Sequence, residues 1–304
     1  MILSDTARFT TALAETADDV ERTLDACLPQ PVDTPGEGAL IAAMRYAVMG
    51  GGKRLRAFLA VEAGKLVGAP LQSVLRAGAA LECLHAYSLV HDDLPAMDDD
   101  DLRRGKPTVH KAWDDATAIL AGDALQTEAF RILAHPQTHA RAEVRALAVL
   151  RLAEASGSAG MVGGQALDLA AEAGHAHQDA AAVKRLQAMK TGALLEVSAE
   201  IGAILGEAAP HEHKAIRHYA AALGEAFQIA DDLLDVEGDE AEVGKRVGKD
   251  AGAGKATFVD ILGLDGAKAR ARALVDEATA ALDPFGERAA MLSAAAAFVV
   301  DRRS

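Results

Sequence analysis

The sequence predicts an all-α protein. It is rich in Ala and contains only 4% aromatic residues, which favours helix over strand. Apolar residues recur along most of the chain at intervals of three and four rather than two. No alternating, β-branched run with a hairpin turn is present. We therefore expect about ten helices with short connections, in one domain that covers residues 1–304.

Breaks rich in Gly, Pro and polar residues separate the predicted helices. They lie at residues 29–38, 64–70, 134–140, 172–180, 206–214 and 263–267. The apolar face of one predicted helix consists of Val144, Leu147, Val149, Leu150 and Leu152. Two other predicted helices, 70–93 and 211–237, both end in clusters of aspartate. These clusters are the first indication of function.

The overall charge limits the class of partner. The 304-residue chain carries a formal net charge of −14 and has a pI near 5.1. Nucleic acids and anionic membrane surfaces are both bound largely through Lys and Arg. Neither partner is expected, and an anionic ligand must be held by a local basic cluster or through a metal ion.

Cysteine usage and the first residues predict a cytoplasmic location. Cys27 and Cys83 are the only cysteines, and their spacing fits neither a metal site nor a disulfide framework. Residues 1–20 have no basic segment followed by a continuous apolar stretch, so no secretory signal is predicted. No uncharged apolar run reaches the roughly 18–20 residues of a membrane span.

The later aspartate cluster, in "FQIADDLLD", predicts a metal site. Asp231 and Asp235 lie on one face of a helix, with Cβ atoms about 5–6 Å apart, and their like charges destabilise the helix. A divalent cation between them reverses that effect, and hard carboxylate oxygens suit Mg²⁺ together with substrate phosphates. The alternative is a solvated helix end, which the apolar residues before Asp231 disfavour.

The earlier cluster, in "HDDLPAMDDDDLRRG", has a different spacing. Asp92 and Asp93 form a similar pair, but the next acid is Asp98. In a straight helix six residues rise about 9 Å and turn through about 240°, so Asp92 and Asp98 would not share an ion. Pro95 must kink or end the helix, and a bulged turn would bring Asp98 or a neighbour back beside Asp92. Spacing alone does not choose among residues 98–101.

Basic residues beside Gly-rich turns accompany both clusters. Arg103 and Arg104 follow the first cluster directly. The others are Lys53, Arg54 and Arg56 in "GGKRLR", Lys190 in "KTG", and Lys245, Lys249 and Lys255 in "GKRVGKDAGAGK". Guanidinium groups bind phosphate through two parallel hydrogen bonds, and lysine acts as a point charge. Each residue alone is explained by solvated surface charge, but together they indicate diphosphate sites.

In this order the motifs resemble those of the trans-isoprenyl diphosphate synthases, the polyprenyl synthetase family. The likeness covers roughly residues 40–262 and is closest to bacterial farnesyl diphosphate synthases. It implies an all-α bundle of ten or more helices around a central cavity, usually in a homodimer. It also implies head-to-tail condensation of an allylic diphosphate with isopentenyl diphosphate, with about three Mg²⁺ ions for each active site.

The resemblance also implies roles for individual residues. The metal ligands are Asp92, Asp93, Asp98, Asp231 and Asp235. The allylic diphosphate is bound by Arg103, Lys190, Thr191, Gln228, Lys245 and Lys255, of which Arg103, Lys190, Thr191 and Gln228 are the predicted catalytic residues. Isopentenyl diphosphate is bound by Lys53, Arg56, His85 and Arg104.

Product length is predicted to depend on Tyr87 and Ser88. Helical spacing places Ser88 more nearly under Asp92, with Tyr87 about 140° round the helix. The resemblance instead implies that Tyr87 is the floor that stops growth at fifteen carbons, and a simple core aromatic is the alternative. Other candidate functions are a geranylgeranyl diphosphate synthase, a non-catalytic regulatory homologue and a terpene cyclase. The retained cations disfavour the last two.

Overall fold

The computed structural model describes residues 5–175, 179–237 and 257–301, and they are almost entirely helical. The α-helices are α1 (Asp5–Cys27), α2 (Glu37–Val48), α3 (Leu55–Leu66), α4 (Leu71–Asp92), α5 (Val109–Ala112), α6 (Asp115–Ala134), α7 (Ala142–Ser156), α8 (Met161–Glu172), α9 (Ala180–Gln187), α10 (Ala193–Leu205), α11 (Pro210–Glu237), α12 (Phe258–Ala281) and α13 (Ala290–Asp301). A π-helical turn (Ala188–Gly192) joins α9 to α10, and a 3₁₀-helix (Asp283–Ala289) precedes α13. The all-α prediction is confirmed.

Local signals in the sequence set several helix ends. The side chain of Asp114 accepts a hydrogen bond from the backbone N–H of Thr117 at the start of α6. Thr257 and Asp260 form a reciprocal capping box at the start of α12. Such side chains satisfy backbone donors that the first helical turn leaves without partners. Pro210 opens α11, where a missing N–H costs nothing.

Two predicted details differ from the structure. The break predicted at 263–267 is a kink within α12, where Gly263 has φ +69°. A two-stranded antiparallel ribbon, β1 (Leu102–Arg103) and β2 (Lys106–Pro107), follows the first aspartate cluster, although no strand was expected. Each strand has two residues, which is too short for an alternating pattern to appear in the sequence.

Two groups of apolar side chains form the core, and α3 contributes to both. One surrounds α4 and α6, with Leu81 and Leu125 fully buried, and the other surrounds α11, with Tyr219 fully buried. Small residues let the helices approach closely. A Cβ atom on Gly202 of α10 would lie 2.3 Å from the carbonyl oxygen of Ala60 on α3. The Ala- and Gly-rich composition therefore gives close helix packing.

The structure also bears on the membrane prediction. Within the described residues, no helix combines the length and apolar character that crossing a bilayer requires.

Candidate active site

One large cavity opens among α4, α8, the π-helical turn, α10 and α11, with a volume of about 1020 Å³. That volume suits a small-molecule site. The predicted site residues on its wall are Arg56, His85, Tyr87, Ser88, Asp92, Asp98, Arg103, Lys190, Thr191, Asp231 and Asp235. The fold therefore brings both aspartate clusters and several of the predicted cations to one space.

The first cluster folds back on the end of α4. The helix ends at Asp92, and the backbone N–H of Asp98 then donates to the carbonyl of Asp92 at 2.8 Å. Asp99 closes the turn in a left-handed conformation, with φ +48°. The bulged turn predicted from Pro95 is thus present, and it places Asp98 beside Asp92 on the cavity wall.

The carboxyl group of Asp92 is unusually basic. Burial raises its pKa to about 6, and the neighbouring charge of Asp98 adds to the increase, while Lys190 and Arg103 oppose it. The partly buried Asp92 and the exposed Asp98 carry like charges that repel each other. A cation between them would relieve that repulsion.

Asp93 turns away from the cavity and binds Arg103. The Nε of Arg103 lies 2.8 and 3.0 Å from the two carboxylate oxygens of Asp93, and an Nη lies 2.5 Å from one of them. Asp93 is 3% exposed and lies outside the set of residues that line the large cavity. In this structure it holds the guanidinium at the wall, and a direct role in metal binding stays a prediction.

The second cluster divides in the same way. Asp231 and Asp235 both line the cavity, one helical turn apart. Asp232 instead accepts a hydrogen bond from the backbone N–H of Phe258 at 2.7 Å, which ties α11 to α12. Within the described residues no three His, Cys, Asp or Glu side chains are close enough to enclose a metal ion. An ion at either cluster would need further oxygen ligands from a substrate.

Lys190 and Thr191 lie in the π-helical turn, which widens the backbone where both side chains reach the cavity. Such turns are frequent at functional sites. Lys190 Nζ lies 2.5 Å from a carboxylate oxygen of Asp168 on α8. A Cβ atom on Gly164 would lie 2.2 Å from the backbone N of Lys190, so α8 and the turn are in direct backbone contact.

A second cationic region, besides Arg103 and Lys190, contains Arg56 and Arg104 with His85 beside them. Arg56 and His85 line the cavity, and Arg104 donates to the carbonyl of Gly51. The guanidinium of Arg104 packs directly against Gly52. A Cβ atom on residue 52 would lie 2.6–2.9 Å from the guanidinium atoms. Burial lowers the pKa of His85 well below its usual value, and the charge of Arg56 lowers it further. His85 is therefore uncharged at neutral pH.

Among the predicted substrate-binding residues that the structure describes, Lys53, Arg104 and Gln228 do not line the large cavity. Lys53 Nζ lies 5.5 Å from the centre of the Phe298 ring on α13. Gln228 is buried and lines a separate cavity of about 220 Å³ beside Gly192. Lys245 and Lys255 lie outside the described residues.

Tyr87 and Ser88 both lie on the cavity wall. The Tyr87 ring meets the His91 ring edge to face, with centroids 5.1 Å apart. His91 in turn rests on α6, where its Nε2 lies 3.0 Å from the carbonyl oxygen of Ile119. A Cβ atom on Gly122 would lie 2.1 Å from that same Nε2, so only glycine leaves room for the ring. The His91 ring thus lies between Tyr87 and α6 and supports the Tyr87 ring.

Sequence reasoning missed two polar residues of α8. Asp168 is buried and binds Lys190, and Gln165 lines the cavity. The Nε2 of Gln165 is buried without a hydrogen-bond partner in the described part of the chain. The sequence does contain a signal for these residues. Gln165 and Asp168 are three positions apart within the apolar run "MVGGQALDLA", and this spacing places both on one helix face.

The fold and the cavity define an all-α isoprenyl synthase. The polyprenyl synthetase family model matches residues 37–292, and the chain belongs to that family. It is 45% identical over 270 residues to the farnesyl diphosphate synthase of Escherichia coli (strain K12), covering 86% of this chain and 89% of that protein. It is 41% identical over 267 residues to the chloroplastic geranylgeranyl pyrophosphate synthase 11 of Arabidopsis thaliana, covering 86% and 74%.

A solved structure agrees with the family assignment. The apo crystal structure of an FPP/GFPP synthase from Zymomonas mobilis superposes with a TM-score of 0.88 at 46% identity. The superposition covers 97% of this chain and 99% of the Zymomonas mobilis chain. The predicted family and fold are therefore confirmed.

Proposed function

We propose that this chain is a farnesyl diphosphate synthase, a prenyltransferase that condenses isopentenyl diphosphate head to tail with dimethylallyl or geranyl diphosphate. The observation that carries the proposal is the cavity of about 1020 Å³, whose wall holds carboxylates of both aspartate clusters together with Arg56, Arg103 and Lys190. Two diphosphate groups and their counter-ions require this combination of charges.

The wall residues fit Mg²⁺. Asp92, Asp98, Asp231 and Asp235 offer only hard oxygen donors, and no described cluster encloses an ion by itself. Mg²⁺ characteristically binds one or two carboxylates and takes its other ligands from water and substrate phosphates. Three ions for each site are inferred from the family resemblance. When bound, they would neutralise charge on the departing diphosphate.

The cations near the first cluster would bind the allylic diphosphate. Arg103 is held at the wall by Asp93, and Lys190 by Asp168, so both charges are positioned before a ligand arrives. Pre-oriented charges favour heterolysis of the allylic C–O bond, which leaves a carbocation and diphosphate. Thr191 lies beside them on the wall. The resemblance adds Gln228, Lys245 and Lys255 to this group.

The second cationic region would bind isopentenyl diphosphate. Arg56 and Arg104 supply charge, and uncharged His85 supplies a hydrogen bond without further repulsion. Lys53 would contribute once it leaves the Phe298 ring. The isopentenyl double bond then attacks the allylic cation, a C–C bond forms, and the released diphosphate accepts the proton. The cavity wall would orient both substrates and shield the carbocation from water.

Farnesyl diphosphate is the favoured product. The farnesyl diphosphate synthase of E. coli is more similar to this chain, at 45% identity, than the Arabidopsis geranylgeranyl enzyme, at 41%. Tyr87 also lies on the cavity wall and is 9% exposed, as a floor residue requires. Geranylgeranyl diphosphate is the alternative product.

We further infer a homodimer. Leu147 and Leu150, which were expected on the apolar face of α7, are 41% and 51% exposed, and Ile119 and Leu120 on the adjoining α6 are 45% and 55% exposed. Exposed apolar surface of this kind marks interfaces. A second copy, related by a two-fold axis, would cover it.

The decisive experiment is a condensation assay with purified protein. Isopentenyl diphosphate is incubated with dimethylallyl or geranyl diphosphate and Mg²⁺, and the products are separated by chain length. We expect a fifteen-carbon product that disappears when the metal is chelated. Longer products would favour the geranylgeranyl alternative, and no product from any allylic substrate would overturn the proposal.

A further inference from the structure

Arg54 and Glu82 form a buried ion pair close to the cavity, and neither residue has a role in the reaction described above. Arg54 is 5% exposed and Glu82 is 3% exposed. An Nη of Arg54 lies 3.1 Å from a carboxylate oxygen of Glu82. Arg54 lies in the "GGKRLR" motif, between the predicted isopentenyl ligands Lys53 and Arg56. Its burial excludes direct contact with a diphosphate in the cavity.

The pair joins four helices. The other Nη of Arg54 donates to Glu21 on α1 at 2.9 Å and to the carbonyl of Val48, the last residue of α2, at 2.6 Å. The second oxygen of Glu82, on α4, accepts the backbone N–H of Ala57 in the first turn of α3 at 3.4 Å. One guanidinium and one carboxylate thus fix where α3 begins relative to α1, α2 and α4.

The backbone at Arg54 needs this support. Its φ is +50° and its ψ is 35°, a left-handed conformation that is uncommon for residues other than glycine. Its carbonyl nevertheless accepts the N–H of Phe58 at 2.9 Å, in the first turn of α3. A strained conformation persists where surrounding contacts over-determine it, and such residues occur frequently at functional sites.

The left-handed turn sends the flanking cations in different directions. Lys53 extends toward the Phe298 ring on α13, and Arg56 reaches the cavity wall. Glu82 also lies three residues before His85, so α4 carries both the ion pair and this predicted ligand. Three of the four predicted isopentenyl diphosphate ligands, Lys53, Arg56 and His85, therefore lie within three residues of Arg54 or Glu82 in the chain.

We propose that Arg54 is a positioning residue for the isopentenyl diphosphate site and that Glu82 is its partner. Together they hold the backbone from which Lys53 and Arg56 reach the second diphosphate, and neither touches the substrate. The inference rests on the proposed function, because it takes the Lys53 and Arg56 region to be the isopentenyl site. The allylic site depends on different contacts, those of Asp93 and Asp168.

The test compares Arg54→Lys and Glu82→Gln with the control Arg76→Lys in the full chain. Arg76 is also a buried arginine, 7% exposed, on α4 itself, and it donates to Thr138 at 2.9 Å and to Cys27 at 3.3 Å rather than to cavity residues. For each protein, isothermal titration measures the binding of isopentenyl diphosphate. Steady-state kinetics give KM for both substrates, and thermal unfolding reports stability.

We expect Arg54→Lys to weaken isopentenyl diphosphate binding at least tenfold and to raise its KM similarly, with the allylic KM changed less than twofold. Lysine keeps the charge but loses the two-pronged geometry. Arg76→Lys should lower the unfolding temperature without changing the ratio of the two KM values. If Arg54→Lys does not fold, Glu82→Gln, which keeps the side-chain shape, provides the same comparison.

Two results would overturn the inference. One is unchanged isopentenyl binding in both variants, and the other is an equal change in the two KM values, as general destabilisation would give. Failure of the proposed function is separate, because the unmodified protein would then form no product from any allylic substrate.

Discussion

The replacement Asp93→Asn tests whether this buried carboxylate positions Arg103 or binds metal. Arg103 makes three contacts of 2.5–3.0 Å with Asp93, and hydrogen bonds to charged groups contribute about 1.5–3 kcal/mol. Arg103 is 33% exposed, so solvent screening reduces the combined contribution to about 2 kcal/mol. We expect kcat/KM for the allylic substrate to fall roughly 30-fold, the factor that about 2 kcal/mol represents.

The stability of this variant should change little. Burial raises the pKa of Asp93 even though Arg103 lowers it, so the ionised carboxylate is disfavoured in the folded state. The amide of Asp93→Asn would avoid the free-energy cost of burying a charge but would lose the ion pair with Arg103. The two effects oppose each other in the free energy of unfolding. The matched control is Asp99→Asn, an exposed aspartate in the same turn.

The assay measures rate against allylic substrate and, separately, against Mg²⁺. We expect the Mg²⁺ concentration for half-maximal rate to stay within twofold of that of the unmodified protein. If it rises tenfold while the allylic KM at saturating Mg²⁺ is unchanged, Asp93 is a metal ligand and the reasoning is wrong.

Three further predictions concern product length, pH and assembly. Tyr87→Ala should open the cavity floor and give products longer than fifteen carbons by chromatography, and an unchanged product would identify Tyr87 as a core aromatic only. Because the pKa of Asp92 is raised to about 6, the metal–diphosphate complex should bind with proton release below that pH. Its affinity should fall about fivefold from pH 6 to pH 5 as Asp92 becomes protonated, which calorimetry in buffers of different ionisation enthalpy would detect, and Asp92→Asn should remove this dependence. Leu150→Glu should convert a dimer to monomers in light scattering, whereas an unchanged mass would place the interface elsewhere.

The same shift in Asp92 has a consequence for stability. A carboxyl group whose pKa is higher in the folded state than in the unfolded chain favours folding less once it ionises. Its contribution to the free energy of unfolding therefore decreases as the pH rises from about 4 to about 6. A bound cation would reverse this decrease.

Much of the site was accessible from sequence because the relevant signals are local. The turn at Pro95 follows from the geometry of one residue, and it does return Asp98 to Asp92. The spacing of Asp231 and Asp235 follows from the helical repeat, and both reach the cavity. The spacing could not indicate that the neighbouring aspartates have other partners in the fold. Asp93 binds Arg103, and Asp232 accepts a hydrogen bond from the backbone of Phe258.

The helices, most of the breaks between them and the charge clusters that mark the family are all predictable from local sequence. These depend on periodicity, capping and residue type within a few positions. Three other features are visible only in the folded chain: Asp93 binds Arg103, Arg54 is buried against Glu82, and Leu150 faces outward. Which groups meet depends on how distant helices pack, and small residues such as Gly202 set that packing through contacts far apart in the chain.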